Sequence, residues 1–311
     1  MLAVVFPGQG SQTVGMAMDF ARAHAEARAA LDEADAAFGG GLLRRLESGP
    51  ASDLARTEIT QPAILAASIA IWRVVEPRLP SAPVLFAGHS LGEYSALVAA
   101  GGLPLGEAVR LVRRRGALMQ EAVPEGEGAM AAVLGLDPAE VTRICAEVDG
   151  VVAPANFNSP VQTVIAGRRQ AVSLACERMS AAGAKRVVAL DVSAPFHCEL
   201  MAPAMEKLAP ELEAARFTEL RVPVVSNVDA QPYTSAALAR TRLREQVCAP
   251  VRWVDCVKQL VSTGATLELE VGPGKVLSGL AAKIDRALGR ANVEKLEDLD
   301  ASLARAAEAC A

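Results

Sequence analysis

The pentapeptide Gly88-His89-Ser90-Leu91-Gly92 combines residue types and a spacing that suggest chemistry. It fits the pattern G-x-S-x-G, in which a serine sits on a tight turn between a strand and a helix. Glycines on both sides permit the turn and hold the hydroxyl clear of the sheet, where it can act as a nucleophile. The helix that follows offers backbone N–H groups and the positive end of its dipole to an oxyanion. Pro83-Val84-Leu85-Phe86-Ala87 reads as a buried strand and residues 93–100 as a helix, which is the setting the pattern requires.

A serine needs a base, and the chain has three histidines. His24 lies among Ala, Arg and Glu on a polar helix and reads as a surface residue. His89 precedes the serine, so its side chain should point away from the serine's side of the turn while still lining a cleft. His197 follows Ser193-Ala194-Pro195-Phe196 in a loop where two lobes of the chain rejoin, and it is the best base candidate. For the group that orients the imidazole, Asp191, Asp229 and Asp255 are all open, and a backbone carbonyl would serve equally well.

Arg113-Arg114-Arg115 lies on a helix whose buried side is marked by Val109, Val112, Leu118 and Met119. At least one of the three arginines should therefore face inward, and an inward guanidinium suits a carboxylate. Most charge runs are solvated faces. Two glycine turns do not make phosphate loops: Gly8-Gln9-Gly10 lacks a third glycine, and Gly272-Pro273-Gly274-Lys275 is followed by Val276 instead of Ser or Thr. Gln9 is instead placed to donate a hydrogen bond toward the cleft edge that holds Ser90.

The elements that must position these residues follow a repeated order of strand, turn and helix. A buried strand over residues 2–6 leads to helices up to about residue 38 and over 61–75. The Ser90 turn follows, then helices over 93–100 and 105–122. That order predicts an α/β layer with a parallel sheet. It changes at Pro124-Glu125-Gly126-Glu127-Gly128. Strands over 129–134, 151–155, 162–166 and 186–192, with helices from 138 and over 169–182, give β-α-β-β-α-β, a ferredoxin-like unit. Asp137-Pro138-Ala139-Glu140 predicts a cap, a first-turn proline and a glutamate reaching back. The larger unit then resumes with a helix over 199–214, a strand over 222–226, two helices, a strand over 266–271 and a last helix from Lys275. The expected division is 1–124 with 195–311 as a large catalytic part and 125–194 as a small inserted part.

Composition bounds the function. The 311 residues are 51% hydrophobic, 22% charged and 4% aromatic, which indicates a large globular core of helices on parallel strands. A net charge of −5 argues against nucleic-acid binding, since no basic surface is available for counterion release. The N-terminus has no basic segment ahead of a long apolar run, and no uncharged stretch reaches the roughly 18 residues of a membrane span. Six scattered cysteines lack metal or disulfide spacing and read as free thiols in a reducing cytoplasm.

Taken together, the motifs resemble the malonyl-CoA:acyl carrier protein transacylases, the acyltransferases of fatty-acid and polyketide synthesis. The resemblance covers nearly the whole chain. It runs through Phe6-Pro7-Gly8-Gln9-Gly10-Ser11-Gln12, the Ser90 turn with Glu93-Tyr94, Arg115-Gly116 with Met119-Gln120, and Asn156-Phe157-Asn158-Ser159-Pro160. It continues through Pro195-Phe196-His197, Pro250-Val251-Arg252-Trp253 and Glu270-Val271-Gly272-Pro273-Gly274-Lys275. It implies a hydrolase-like α/β core with an inserted ferredoxin-like subdomain. Ser90 would be the acylated nucleophile and His197 its base, with Gln9 and the Leu91 N–H forming the oxyanion hole. Arg115 would pair with the malonyl carboxylate, and the Gln246 backbone carbonyl would orient His197. Phe196 before the histidine resembles the malonyl-selecting type.

The resemblance further implies coenzyme A thioester as substrate, with no permanently bound cofactor and no metal, and an acyl carrier protein as partner. A monomer is expected. Docking an acidic carrier would call for a local basic patch such as Arg168-Arg169 or Lys185-Arg186. The competing readings are a polyketide acyltransferase, a serine esterase or thioesterase with the same turn, and a silent docking module.

Overall fold

Five consecutive apolar residues, Leu2–Phe6, form strand β1, and every one of them is buried, as a strand covered on both faces must be. The computed structural model describes residues 1–192 and 194–311; Ser193, in the loop that leads to His197, lies outside the described residues. Strand β2 (Leu85–Gly88) pairs parallel with β1 and leads straight into the Ser90 turn.

The chain then leaves this sheet. Strands β3 (Gly128–Leu134), β4 (Val152–Ser159), β5 (Gln162–Arg168) and β6 (Arg186–Ala189) form a separate antiparallel sheet in the order β4-β5-β3-β6. Helices Pro138–Ala146 and Arg169–Ala181 cross between its strands, so the unit is βαββαβ with ferredoxin-like strand order. Strands β7 (Val224–Val225), β8 (Pro232–Tyr233), β9 (Leu267–Val271) and β10 (Gly289–Val293) return to the first sheet. Its order is β10-β9-β1-β2-β7-β8, parallel except for the edge strand β8. The fold is thus a parallel-sheet α/β core with a separate antiparallel sheet. The second sheet is tied to the segment around Val251, where Val251 N–H donates to the Ala155 carbonyl at 2.8 Å and Phe157 N–H to the Val251 carbonyl at 2.9 Å.

The long helix Thr57–Val75 lies in the core, with residues 59–72 all buried. Extended to Arg78, it has the length and apolar character to cross a membrane, yet it is packed inside the protein. It begins four residues earlier than the predicted start at residue 61, and Pro62, its sixth residue, lies past the first turn, where a proline gives up one helical hydrogen bond. Phe86 from β2 meets Trp72 of this helix edge-on at 5.3 Å.

The structure departs from the sequence-based expectations mainly at the rim. The helix from Lys275, observed over Val276–Ile284, is not the last element, because β10 and the helix Leu299–Cys310 follow it. Strand β8 and the short helices Leu42–Ser48 and Ala51–Leu54 are also additional. Two-residue strands carry too little periodicity to be read from sequence. Asp137 does cap its helix, accepting from Ala139 N–H at 2.8 Å. Glu140, however, does not reach back to complete the capping box: its carboxylate is taken by Arg143 at 2.6 and 2.8 Å.

The helix Leu105–Glu121 crosses the start of Thr57–Val75 so closely that a Cβ at Gly116 would lie 2.6 Å from the Thr57 carbonyl oxygen. This contact presses the neighbouring Arg115 into the interior. Gly116→Ala should therefore destabilise the protein by about 1–3 kcal/mol, the usual range for overpacking, as read from denaturant unfolding. An unchanged unfolding midpoint would show that the crossing yields without cost.

Candidate active site

Ser90 is held at φ 52°, in the left-handed region, by the turn between β2 and the helix Gly92–Ala99. The flanking glycines are needed for space. A Cβ at Gly92 would lie 2.1 Å from the Phe6 carbonyl oxygen, and one at Gly88 would lie 1.9 Å from the Gly92 carbonyl carbon. Asn227, just past β7, fastens the turn: its Oδ1 accepts from Ser90 N–H at 2.6 Å and its Nδ2 donates to the Gly88 carbonyl at 2.8 Å. The turn's own hydrogen bonds run from Gly92 N–H to the His89 carbonyl, from Glu93 N–H to the Ser90 carbonyl and from Tyr94 N–H to the Leu91 carbonyl. Leu91 itself is buried at the head of the helix.

His197 Nε2 lies 2.7 Å from Ser90 Oγ, and its Nδ1 lies 2.9 Å from the Gln246 backbone carbonyl. A carbonyl can only accept, so Nδ1 carries the proton and Nε2 presents its lone pair to the serine hydroxyl. Arg115 is the inward member of its triplet at 2% exposed, while Arg113 and Arg114 are exposed. Its guanidinium donates to Ser90 Oγ at 3.1 Å, to Gln61 Oε1 at 2.9 Å and to Gln246 Oε1 at 2.9 Å.

The other sequence candidates make no hydrogen bond to Ser90 Oγ, the His197 ring or the Arg115 guanidinium among the described residues. Gln9 is exposed in the turn after β1. His89 Nε2 faces Asn158 Oδ1 at 2.8 Å, and His24 is half-buried near Glu26 and Arg78. Asp229 pairs with Arg242 and Asp255 with Arg252, while Asp191 is exposed. A serine, a neutral imidazole and a buried guanidinium converging on one hydroxyl can carry out acyl transfer on a substrate that bears an anion.

Comparisons with known proteins point the same way. Residues 3–296 match the family described as acyl transferase domain. The malonyl CoA-acyl carrier protein transacylase of Escherichia coli K12 is 51% identical over 91% of this chain and 92% of its own length. The protein of the same name from Bacillus subtilis 168 is 44% identical over 97% and 96%. Among solved structures, a malonyl-transacylase in complex with a type II polyketide synthase acyl-carrier protein superposes with a TM-score of 0.95. It shares 48% identity over 98% of this chain and 99% of that one. An acyl carrier protein S-malonyltransferase from Vibrio cholerae gives 0.94 and 46%, covering 96% and 99%.

The chain belongs to the acyl transferase domain family.

In this family member the polar groups below the serine were harder to foresee than those facing it. Glu93 is fully buried and accepts from Asn227 N–H at 3.1 Å, Tyr233 Oη at 3.0 Å and Gln246 Nε2 at 2.7 Å. Gln246 Nε2 also donates to the Ser90 carbonyl at 3.1 Å. Neither Gln61, Glu93, Asn227 nor Tyr233 was among the sequence candidates. One signal was present: Glu93 is the only charge in the apolar stretch 84–103, and a lone charge in a buried helix requires partners.

Burial, followed by the charge of Arg115, pushes the His197 pKa down to about 3. A depressed imidazole pKa keeps Nε2 unprotonated, and able to accept the serine proton, well below the usual histidine range. Acylation of Ser90 by an activated ester such as p-nitrophenyl acetate should therefore show no loss of rate centred near pH 6.5, its acid limb lying well below that value. An acid limb near 6.5 in the burst rate would contradict the buried, neutral imidazole.

Proposed function

We propose that Ser90 carries a malonyl group between coenzyme A and the acyl carrier protein, and that this is how the chain works as a malonyl-CoA:acyl carrier protein transacylase of fatty-acid synthesis. The observation that carries the reading is the meeting of His197 Nε2 and the Arg115 guanidinium on a single hydroxyl, Ser90 Oγ. In the first step His197 Nε2 takes the serine proton as Oγ bonds to the thioester carbonyl carbon. The C–S bond then breaks, and the departing coenzyme A sulfur takes that proton from Nε2. The phosphopantetheine thiol of the carrier reverses the sequence: Nε2 takes its proton, sulfur displaces Ser90 Oγ, and the proton returns to the serine.

The Leu91 N–H at the head of the helix is the proposed oxyanion donor, supported by the helix dipole. Gln9, exposed in the turn after β1, is proposed as a second donor. The Gln246 carbonyl is the proposed orienter of His197. Arg115 is the proposed partner of the malonyl carboxylate, since a buried guanidinium paired only with neutral oxygens favours an incoming anion. Phe196, buried beside His197, is proposed to favour malonyl over branched acyl groups.

The proposed division places the catalytic part at 1–124 and 195–311 and the small part at 125–194, with the substrate cleft between them. A cytoplasmic location, supported by six free cysteines, and a monomeric state are part of the same reading. Arg168-Arg169 or Lys185-Arg186, exposed at opposite ends of β3 in the small unit, is the proposed carrier-docking patch. A carrier of polyketide synthesis is the second reading, favoured by the polyketide carrier in the complex of the 48%-identical relative.

Initial rates against both substrates should give the parallel double-reciprocal lines of a ping-pong route. Arg115→Ala should cut the malonyl-to-acetyl ratio of kcat/KM by about 10- to 100-fold, the loss expected for one charge-assisted pair. Intersecting lines would remove the covalent route, and an unchanged ratio would remove Arg115 from acyl selection.

A further inference from the structure

Arg115 is buried without a carboxylate in ion-pair contact among the described residues, and its fork is filled by neutral oxygens from Gln61, Gln246 and Ser90. Its Nε has no hydrogen-bond partner among the described residues. A buried guanidinium is ordinarily compensated by a carboxylate placed against it. Here the compensating group is set back by one amide. Gln246 accepts from Arg115 through Oε1 at 2.9 Å and donates through Nε2 to Glu93 at 2.7 Å. The side-chain amide thus separates a buried cation from a buried carboxyl group.

We propose that Glu93 is the remote counter-charge of Arg115, and that by being set back it leaves the guanidinium with neutral partners that an acyl carboxylate can displace and tunes how tightly that carboxylate is held. The proposal rests on the reading of Arg115 as the malonyl-binding residue. A direct Glu93–Arg115 pair would balance the charge just as well, but it would occupy the donors that the substrate needs. With the amide between them, Glu93 offsets the cation in the empty site without competing for its hydrogen bonds.

An acyl carboxylate adds a second anion to a pocket with one cation, and it therefore favours the neutral form of Glu93. An acyl group with no carboxylate does not. The other groups around Glu93 leave this balance in place. Arg242, on the helix Ala236–Gln246, is already held by Asp229 and Glu245. Tyr94, Tyr233 and Cys256 all have raised pKa values and stay neutral. His197, reached through Gln246, is kept neutral as described above. Burial raises the Glu93 pKa to about 7, so that the carboxyl group changes charge in the range where the enzyme can be assayed. The sign follows: below that value Glu93 is neutral and an acyl carboxylate faces Arg115 alone, while above it the carboxylate shares the pocket with a second anion.

Glu93→Gln isolates the charge. Its carbonyl can face Asn227 N–H and the Gln246 amide, and its NH2 can donate to the Tyr233 hydroxyl oxygen, so every hydrogen bond around the site can be kept. The measurement is the ratio of kcat/KM for malonyl-CoA to that for acetyl-CoA between about pH 6 and about pH 8.5, in which effects shared by the two substrates cancel. The wild-type ratio should fall about tenfold as pH rises, the equivalent of one pKa unit of coupling. In Glu93→Gln the ratio should stay level near the wild-type low-pH value. Tyr233→Phe removes a donor to the anionic form and should move the fall to higher pH, which decides the matter if Glu93→Gln does not fold. Superimposable ratio profiles for wild type and Glu93→Gln, or an unmoved profile in Tyr233→Phe, would overturn the proposal while leaving the Arg115 reading intact. Arg115→Ala in the same assay tests that reading separately: a ratio that remains at the wild-type level would sink both.

Discussion

A guanidinium, an imidazole and a carboxyl group that water would otherwise solvate are buried together beneath the nucleophile turn, and all three are bonded to Gln246. Its backbone carbonyl faces His197, its side-chain oxygen takes Arg115, and its side-chain nitrogen serves both Glu93 and the Ser90 carbonyl. Leaving one buried polar group of this kind unpaired costs about 1–3 kcal/mol, and a charged one more. The geometry around Ser90 is therefore specified by the need to bond these three groups at once, which restricts the positions each side chain can occupy.

Much of the fold can be understood as what brings these groups together. The parallel sheet sets β2 beside β7, so that Ser90 and Asn227 emerge at the same edge, the carboxyl ends of the strands. Open α/β sheets place ligands there. The crossing at Gly116 brings Arg115 in from one side. The helix Ala236–Gln246 delivers its last residue from another, and the bridge through Val251 ties the second sheet to the segment just beyond it. His197 enters at φ 60°, an unfavourable backbone conformation for a residue with a side chain, which the surrounding contacts must hold in place.

The residues with strong local signatures were legible from sequence. The Ser90 turn announced itself because glycine spacing, strand and helix are all contiguous. The buried strands β1 and β2 read as short apolar runs, and the βαββαβ order was visible because its elements are long enough to show their periods. His197 and Arg115 could be narrowed down because histidines are few and because one face of the helix Leu105–Glu121 is apolar. The expected strand over 222–226 is present as β7, whereas the two-residue β8 and the edge formed by β10 with the C-terminal helix carry too little pattern. The supporting network was hidden for a different reason. Gln61, Asn227 and Tyr233 are ordinary polar residues on separate elements, Gln246 was expected only for its backbone carbonyl, and only the tertiary fold makes these side chains neighbours of Glu93. Asp229 and Asp255 looked as eligible as any acid to orient the histidine; in the structure each is neutralised locally by an arginine.

The central claim is that one hydroxyl, set between His197 and Arg115, becomes covalently loaded with an anionic acyl group. Intact-protein mass spectrometry after brief mixing with malonyl-CoA or acetyl-CoA, with Ser90→Ala alongside, tests it most directly. The account predicts a malonyl adduct on the wild type, little acetyl adduct, and neither on Ser90→Ala. Free malonate accumulating with no adduct, or an adduct that persists in Ser90→Ala, would contradict it.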